Sequence, residues 1–291
     1  MRYSSACATA GLAVLMLAAP ALAQERRVDP TWLHRNIDRV AEKPSDISAP
    51  GCHYFPMFGA GDADNLPAVL GSVARFGKVV VDPGASCARL SRAQEDQIVV
   101  VLKGTGTARY DGQAVALKAE DFLYLPAGMS QALVNQSAGT MTAVLMGFHT
   151  KGAASDPKPN RPLKANIADV ATEQVGSHPQ SAHYRLLLGD AAQTRDKIDV
   201  GRVVTSLFLM EIDPGGTNFP HHHADAEEIY LVLDGKGEQV AGAGQDGVAA
   251  RFPASSGDAW FFRLNATMGY YGAAGVHSRI LCVRSFHPKP E

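Results

Sequence analysis

The sequence predicts an all-β protein built from two copies of one strand-rich unit, with a short helix ahead of the first. Three observations carry this prediction. The chain aligns with itself at a shift of 131 residues. Each copy is a series of short apolar, β-branched runs, about ten residues apart and parted by Gly, Asp and Pro turns, as in a sandwich or barrel of antiparallel strands. Between the copies, Lys151 to Pro162 is too rich in proline and polar residues for helix or central strand and reads as a linker.

The elements follow in order. Asp29-Pro30-Thr31-Trp32 carries the start signal of a helix, with Asp as N-cap and Pro in the first turn, and the helix is expected to run to about Glu42. In the first copy, Val79 to Val81, Gln97 to Leu102, Ala114 to Leu117, Phe122 to Leu125 and Met141 to Met146 read as strands. In the second, Val203 to Ile212 is the matching long run. Asp82-Pro83-Gly84 repeats as Asp213-Pro214-Gly215, and Val101 to Gly106 as Val232 to Gly237. The shift then grows, so that Asp121 aligns with Asp258 and Gly147-Phe148-His149 with Ser285-Phe286-His287. Ala241 to Gly247 is Gly-rich but has no lysine and no helix after it, which makes it a hairpin loop rather than a phosphate cradle.

Composition narrows the function. With 46% hydrophobic residues, a core forms without staples. The formal charge of −2 and scattered Lys and Arg argue against nucleic acid as a partner. Residues 1–23 read as a leader: Arg2, an apolar run from Ala10 to Ala19, then the small-x-small cut site Ala21-Leu22-Ala23. The expected mature protein is exported, periplasmic or secreted, and free of the membrane after cleavage; an N-terminal anchor is the alternative. Cys52, Cys87 and Cys282 remain in the mature chain. Cys52–Cys87 is the preferred disulfide, against three unpaired buried thiols.

The stretch richest in chemistry is Gly215 to Gly235. His221 and His223 alternate, so on an extended chain they point the same way and His222 points away. A short loop returns Glu228 beside them at the start of the next strand. Two imidazoles and one carboxylate suit a divalent transition metal: Fe, Mn, Zn, Ni or Cu. Tyr230 shares the face of Glu228 and is the candidate for moving a proton or contacting a substrate; a buried tyrosine with a satisfied hydroxyl is the plainer reading. Glu227 falls on the other face and is expected to meet solvent or cap a turn. His149 and His287, at matching strand ends, are expected to be structural. His34, His53, His178, His183 and His277 have no ligand-like spacing.

These residues resemble the cupin superfamily. Gly215, five residues, His221, one residue, His223, four residues, Glu228, six residues and Gly235 follow its first motif without a gap. The resemblance implies jelly-roll barrels and, given the repeat, a bicupin: residues 24–64 as an N-terminal segment, 65–150 as the first barrel, 151–185 as the linker and 186–291 as the second barrel. Met268 stands where the second motif usually has a fourth histidine ligand, and is expected to line the pocket or offer a thioether. The first copy keeps the second motif's frame in Pro126, Gly128 and Asn135, but has Gln131 for the histidine. Its first motif has Leu90, Arg92 and Gln97 in place of the ligands. That barrel is expected to hold no metal, and to be structural or to bind a small ligand through Arg92, Gln97 and Gln131. The resemblance implies a small-molecule partner, dioxygenase, isomerase, decarboxylase or lyase chemistry, and is compatible with a homodimer. A non-catalytic binder of a small ligand or metal is the alternative.

Overall fold

The computed structural model describes residues 31–62, 69–110, 112–150, 162–242 and 249–286. The leader, the linker stretch 151–161, His287 and residues 243–248 of the Gly-rich loop lie outside these. An arm strand, β1 (Trp32–Asn36), comes first. The first unit holds β2 (Cys52–Gly59), β3 (Val73–Val81), β4 (Glu95–Lys103), β5 (Thr105–Tyr110), β6 (Gln113–Lys118), β7 (Asp121–Leu125), β8 (Gln131–Val134) and β9 (Met141–His149). A second arm strand, β10 (Leu163–Asn166), precedes the second unit. That unit holds β11 (Ala182–Asp190), β12 (Ile198–Gly201), β13 (Val204–Ile212), β14 (Ala226–Asp234), β15 (Lys236–Gly242), β16 (Ala249–Ser255), β17 (Asp258–Phe262), β18 (Thr267–Gly272) and β19 (Ser278–Phe286).

Each unit folds into one large and one small sheet. The first has β10-β7-β4-β9-β3-β2 over β6-β5-β8; the second has β1-β17-β14-β19-β13-β11-β12 over β16-β15-β18. The shared order is the repeat made visible. The arms are exchanged: β1 precedes the first unit but pairs with β17 of the second, and β10 precedes the second but pairs with β7 of the first. Both arms end in the same turn, Asn36-Ile37-Asp38-Arg39-Val40 and Asn166-Ile167-Ala168-Asp169-Val170. In each, the Asn Oδ1 accepts the N–H two residues on at 3.0 Å. In each, the Asn Nδ2 donates to the aspartate opposite it, Asp258 at 2.9 Å and Asp121 at 2.8 Å.

The expected helix from Asp29 to Glu42 is therefore corrected: its described part is a strand and a turn. A cap and a proline are local signals, whereas the strand is fixed by a partner more than two hundred residues away. Trp32 lies 5.4 Å from Trp260 and 4.9 Å from Phe252, ring to ring, and His34 stacks on Trp260 at 4.3 Å. Burying that much aromatic surface outweighs a helix of three turns.

Side-chain alternation explains the core. On β4, Val99 and Val101 fill the first barrel while Ile98 and Val100 face outward; on β14, Tyr230 and Val232 fill the second while Ile229 and Leu231 face outward. The two outward sets belong to one cluster, joined by Phe122, Phe261 and Val283. The large sheets thus pack back to back, which is why their strands read as unbroken apolar runs. The turn glycines Gly104 and Gly235 match across the repeat with φ of 83° and 97°, and a Cβ there would come within 2.5 Å of backbone oxygen. Cys52 and Cys87 form a disulfide, and Cys282 is free and buried. No helix among the described residues is long and apolar enough to cross a membrane.

Candidate metal centre

The second barrel brings His221, His223 and Glu228 together, with one ligand atom from each lying within 4.8 Å of the others; no other such set occurs among the described residues. His221 is held by paired backbone bonds with Met268, both 2.8 Å. Glu228 opens the inward face of β14 and is 1% exposed. Its Oε2 lies 2.8 Å from His223 Nε2, yet lacks an aligned hydrogen-bond donor. A buried carboxylate oxygen without a donor is costly unless something else satisfies it. A divalent cation between Glu228 and the two imidazoles would satisfy that oxygen.

Tautomers fit as well. A carbonyl only accepts, so the 2.9 Å contact from His221 Nδ1 to the Phe219 carbonyl places the proton on Nδ1 and leaves Nε2 as a lone pair. Burial lowers the His221 pKa, keeping the ring neutral as a ligand must be. For Glu228, burial alone would raise the pKa; contact with His223 and the nearby charge of Arg284 help to outweigh it, and the net shift is downward. Phe219, 55% exposed, adopts a left-handed φ of 57°, which directs its carbonyl at His221.

Tyr230 is fully buried, and burial followed by the nearby Glu228 raises its pKa well above the usual value. Its hydroxyl accepts from Asn218 Nδ2 at 3.0 Å, and Asn218 Oδ1 in turn accepts the Tyr270 N–H at 2.7 Å. This is the satisfied buried tyrosine, a wall of the site. Met268 packs fully buried in the barrel core, bonded to His221 through its backbone rather than set among the cavity-lining side chains.

Two expectations are corrected. Glu227 neither meets solvent nor caps a turn: fully buried between the barrels, it accepts the N–H groups of Gly71 and Ser72 at 2.5 and 2.8 Å and the Ser72 hydroxyl at 2.7 Å. The outer face of β14 is itself an interface, so alternation alone gave the wrong environment. Strand register also moves the repeat by one residue: His149 lies opposite Glu95 and Phe286 opposite Ala226, so His149 matches Phe286, not His287.

The first barrel fills the corresponding space. Arg75, buried, pairs with Glu95 at 2.8 Å and Asp46 at 2.9 Å, and Arg92 contacts Asp46 and Glu95. Gln131 Nε2 donates to Gln97 Oε1 at 2.9 Å. Arg92 is thus engaged by Asp46 and Glu95, and Gln97 and Gln131 by each other, which supports the structural role. In the second barrel Ser206 and Arg284, cross-strand partners, replace Arg75 and Gly147. The smaller Ser206 leaves a cavity of about 40 Å³ lined by His178, Tyr184, Phe208, His221, His223, Glu228, Tyr230 and Arg284. His178, from the segment before β11, has no signal in sequence spacing; its ring lies 5.2 Å from that of His221.

Residues 77–147, in the first barrel, match the cupin domain family. The first barrel thus carries a cupin domain, and the second repeats its jelly-roll fold. Similar solved structures include a Pseudomonas aeruginosa protein named for induction by glyoxylate (14% identity, TM-score 0.70, covering 92% of this chain and 94% of that one). Protein Ylba from E. coli (14%, 0.66, 93% and 97%) and an oxalate decarboxylase variant from Bacillus subtilis (11%, 0.64, 93% and 81%) are also similar. Comparison with curated protein sequences finds no match.

Proposed function

We propose that this chain is an exported metalloprotein whose second barrel holds one divalent transition metal and acts on a small anionic organic molecule. The observation that carries the reading is the convergence of His221 and His223 on the buried carboxylate of Glu228, whose Oε2 lacks an aligned hydrogen-bond donor. A cation held there would supply Lewis acidity toward a bound oxygen atom. The protein's own groups do the rest. His221 and His223 present ring nitrogens, Tyr230 and Phe208 wall the site, and Arg284, 3.4 Å from His223, supplies the positive charge that selects an anion. The oxalate decarboxylase of B. subtilis, whose centres are named as Mn(II), supports manganese among the candidates and a carboxylate among the substrates. The leader-like start and the Cys52–Cys87 bond support export to an oxidising compartment.

Elemental analysis of the purified mature protein, beside a His221→Ala/His223→Ala variant, tests the reading. About one metal per chain, lost in the variant, is expected. No metal in either overturns it.

A further inference from the structure

We infer that His178 and Tyr184 form the substrate-selecting wall of this cavity, and that they select a hydroxyl group: the ligand is a small 2-hydroxy acid rather than its 2-oxo counterpart. The inference rests on the proposed metal site for its location and adds the substrate class.

His178 Nδ1 lies 3.0 Å from the Asn218 carbonyl, so Nδ1 carries the proton and Nε2 is an acceptor. The carbonyls of Asn218 and Phe219, consecutive in the chain, thus fix His178 and His221 in the same tautomer. His178 lines the cavity but stands outside the set of ligand atoms that could share one ion. Its lone pair therefore serves whatever occupies the cavity. Tyr184 is 3% exposed and lines the same cavity, and its hydroxyl has no hydrogen-bond partner. Its ring is 5.3 Å from that of His178. A buried hydroxyl left without a partner is unfavourable, so it too calls for a ligand.

The two groups ask for different things. His178 needs a donor, and Tyr184 can give its proton to an acceptor. One hydroxyl meets both needs; a carbonyl oxygen meets only the second. Arg284 lines the same cavity beside His223 and Glu228, and a guanidinium with several donors suits a neighbouring carboxylate as well. A cavity of about 40 Å³ takes a head group of only a few heavy atoms. A second cavity of about 200 Å³ shares Arg195, His223 and Arg284 with it and has room for the rest of the molecule. The first barrel gives an internal contrast. Its matching tyrosine, Tyr54, also lacks a partner, but it faces Arg75 and Glu95, which occupy that barrel's interior.

The test uses the full mature protein loaded with Co(II), titrated with lactate and with pyruvate by calorimetry, alongside the variants Tyr184→Phe and His178→Ala. Both probes chelate a cation through two oxygens, so their ratio isolates recognition of the hydroxyl. Lactate is expected to bind at least about tenfold tighter than pyruvate, with the ratio falling to near one in both variants while cobalt content and the Co(II) absorption spectrum stay unchanged. Equal binding of the two probes by the unaltered protein overturns the inference, as does an unchanged ratio in the variants. Loss of cobalt in His178→Ala overturns it in favour of a ligand role for His178. Failure of the unaltered protein to take up cobalt counts against the metal reading instead, and the ratio measured on that protein still tests the pair.

Discussion

Glu227 and Glu228 are neighbours on β14 whose carboxylates are buried on opposite faces of one sheet. Glu227 reaches out of its barrel to the backbone and hydroxyl of Ser72, and Glu228 reaches in to His223. One residue step separates the bond that joins the two barrels from the proposed metal ligand. The two functions are separable by mutation. Glu228→Gln is expected to abolish metal uptake while changing the stability of the metal-free protein little. Glu227→Gln is expected to keep the metal but lower stability by about 1.5–3 kcal/mol, the worth of hydrogen bonds to a charged group. Metal content and urea midpoints, measured on both variants, check this.

Chelation is expected to destabilise the protein. A cation at a hundred times its Kd adds about 2.7 kcal/mol to the folded state, or about 5–10 °C in Tm for a chain of this size. Calorimetric scans with and without EDTA read the shift, which should be absent in the His221→Ala/His223→Ala variant.

The Cys52–Cys87 bond closes a loop with a sequence separation of 35. Chain-entropy arguments assign such a bond about 3–4 kcal/mol. A reductant should lower Tm in the unaltered protein and leave a Cys52→Ala/Cys87→Ala variant unmoved. Cys282 is buried in apolar surroundings that raise its pKa, and should resist thiol reagents until the protein unfolds.

Asp258 gives a pH signature. Burial alone would raise its pKa, but the bonds from Asn36, the Ser255 N–H and His34 outweigh it and hold the group below 3.8. A carboxyl whose pKa falls on folding binds its proton less well in the native state. The stability it adds is full above pH 3.8 and is lost as pH falls through the folded value. Unfolding free energy, followed from pH 6 to pH 3, should drop less steeply in Asp258→Asn than in the unaltered chain.

The sequence made the second barrel's candidate ligand set legible because strand alternation and fixed spacing act locally: His221, His223 and Glu228 are eight residues from end to end. What escaped it depends on partners far along the chain. Nothing near Trp32 announces the edge of β17. Nothing near Glu227 announces Ser72, more than 150 residues earlier. His178 reaches the site from a segment with no motif. One missed signal was available: the Asn-Ile-x-x-Val turn occurs at Asn36 and again at Asn166, and it would have carried the repeat into both arms.

The exchange of β1 and β10 sets an order on biosynthesis. β1 leaves the ribosome early, yet the strand it must join is made more than two hundred residues later. It has to wait as an unpaired, tryptophan-bearing ribbon until nearly the whole polypeptide exists. The first barrel, by contrast, is complete once β10 emerges. Cutting between the repeats would leave each half carrying the other's edge, so neither half is a self-sufficient folding unit.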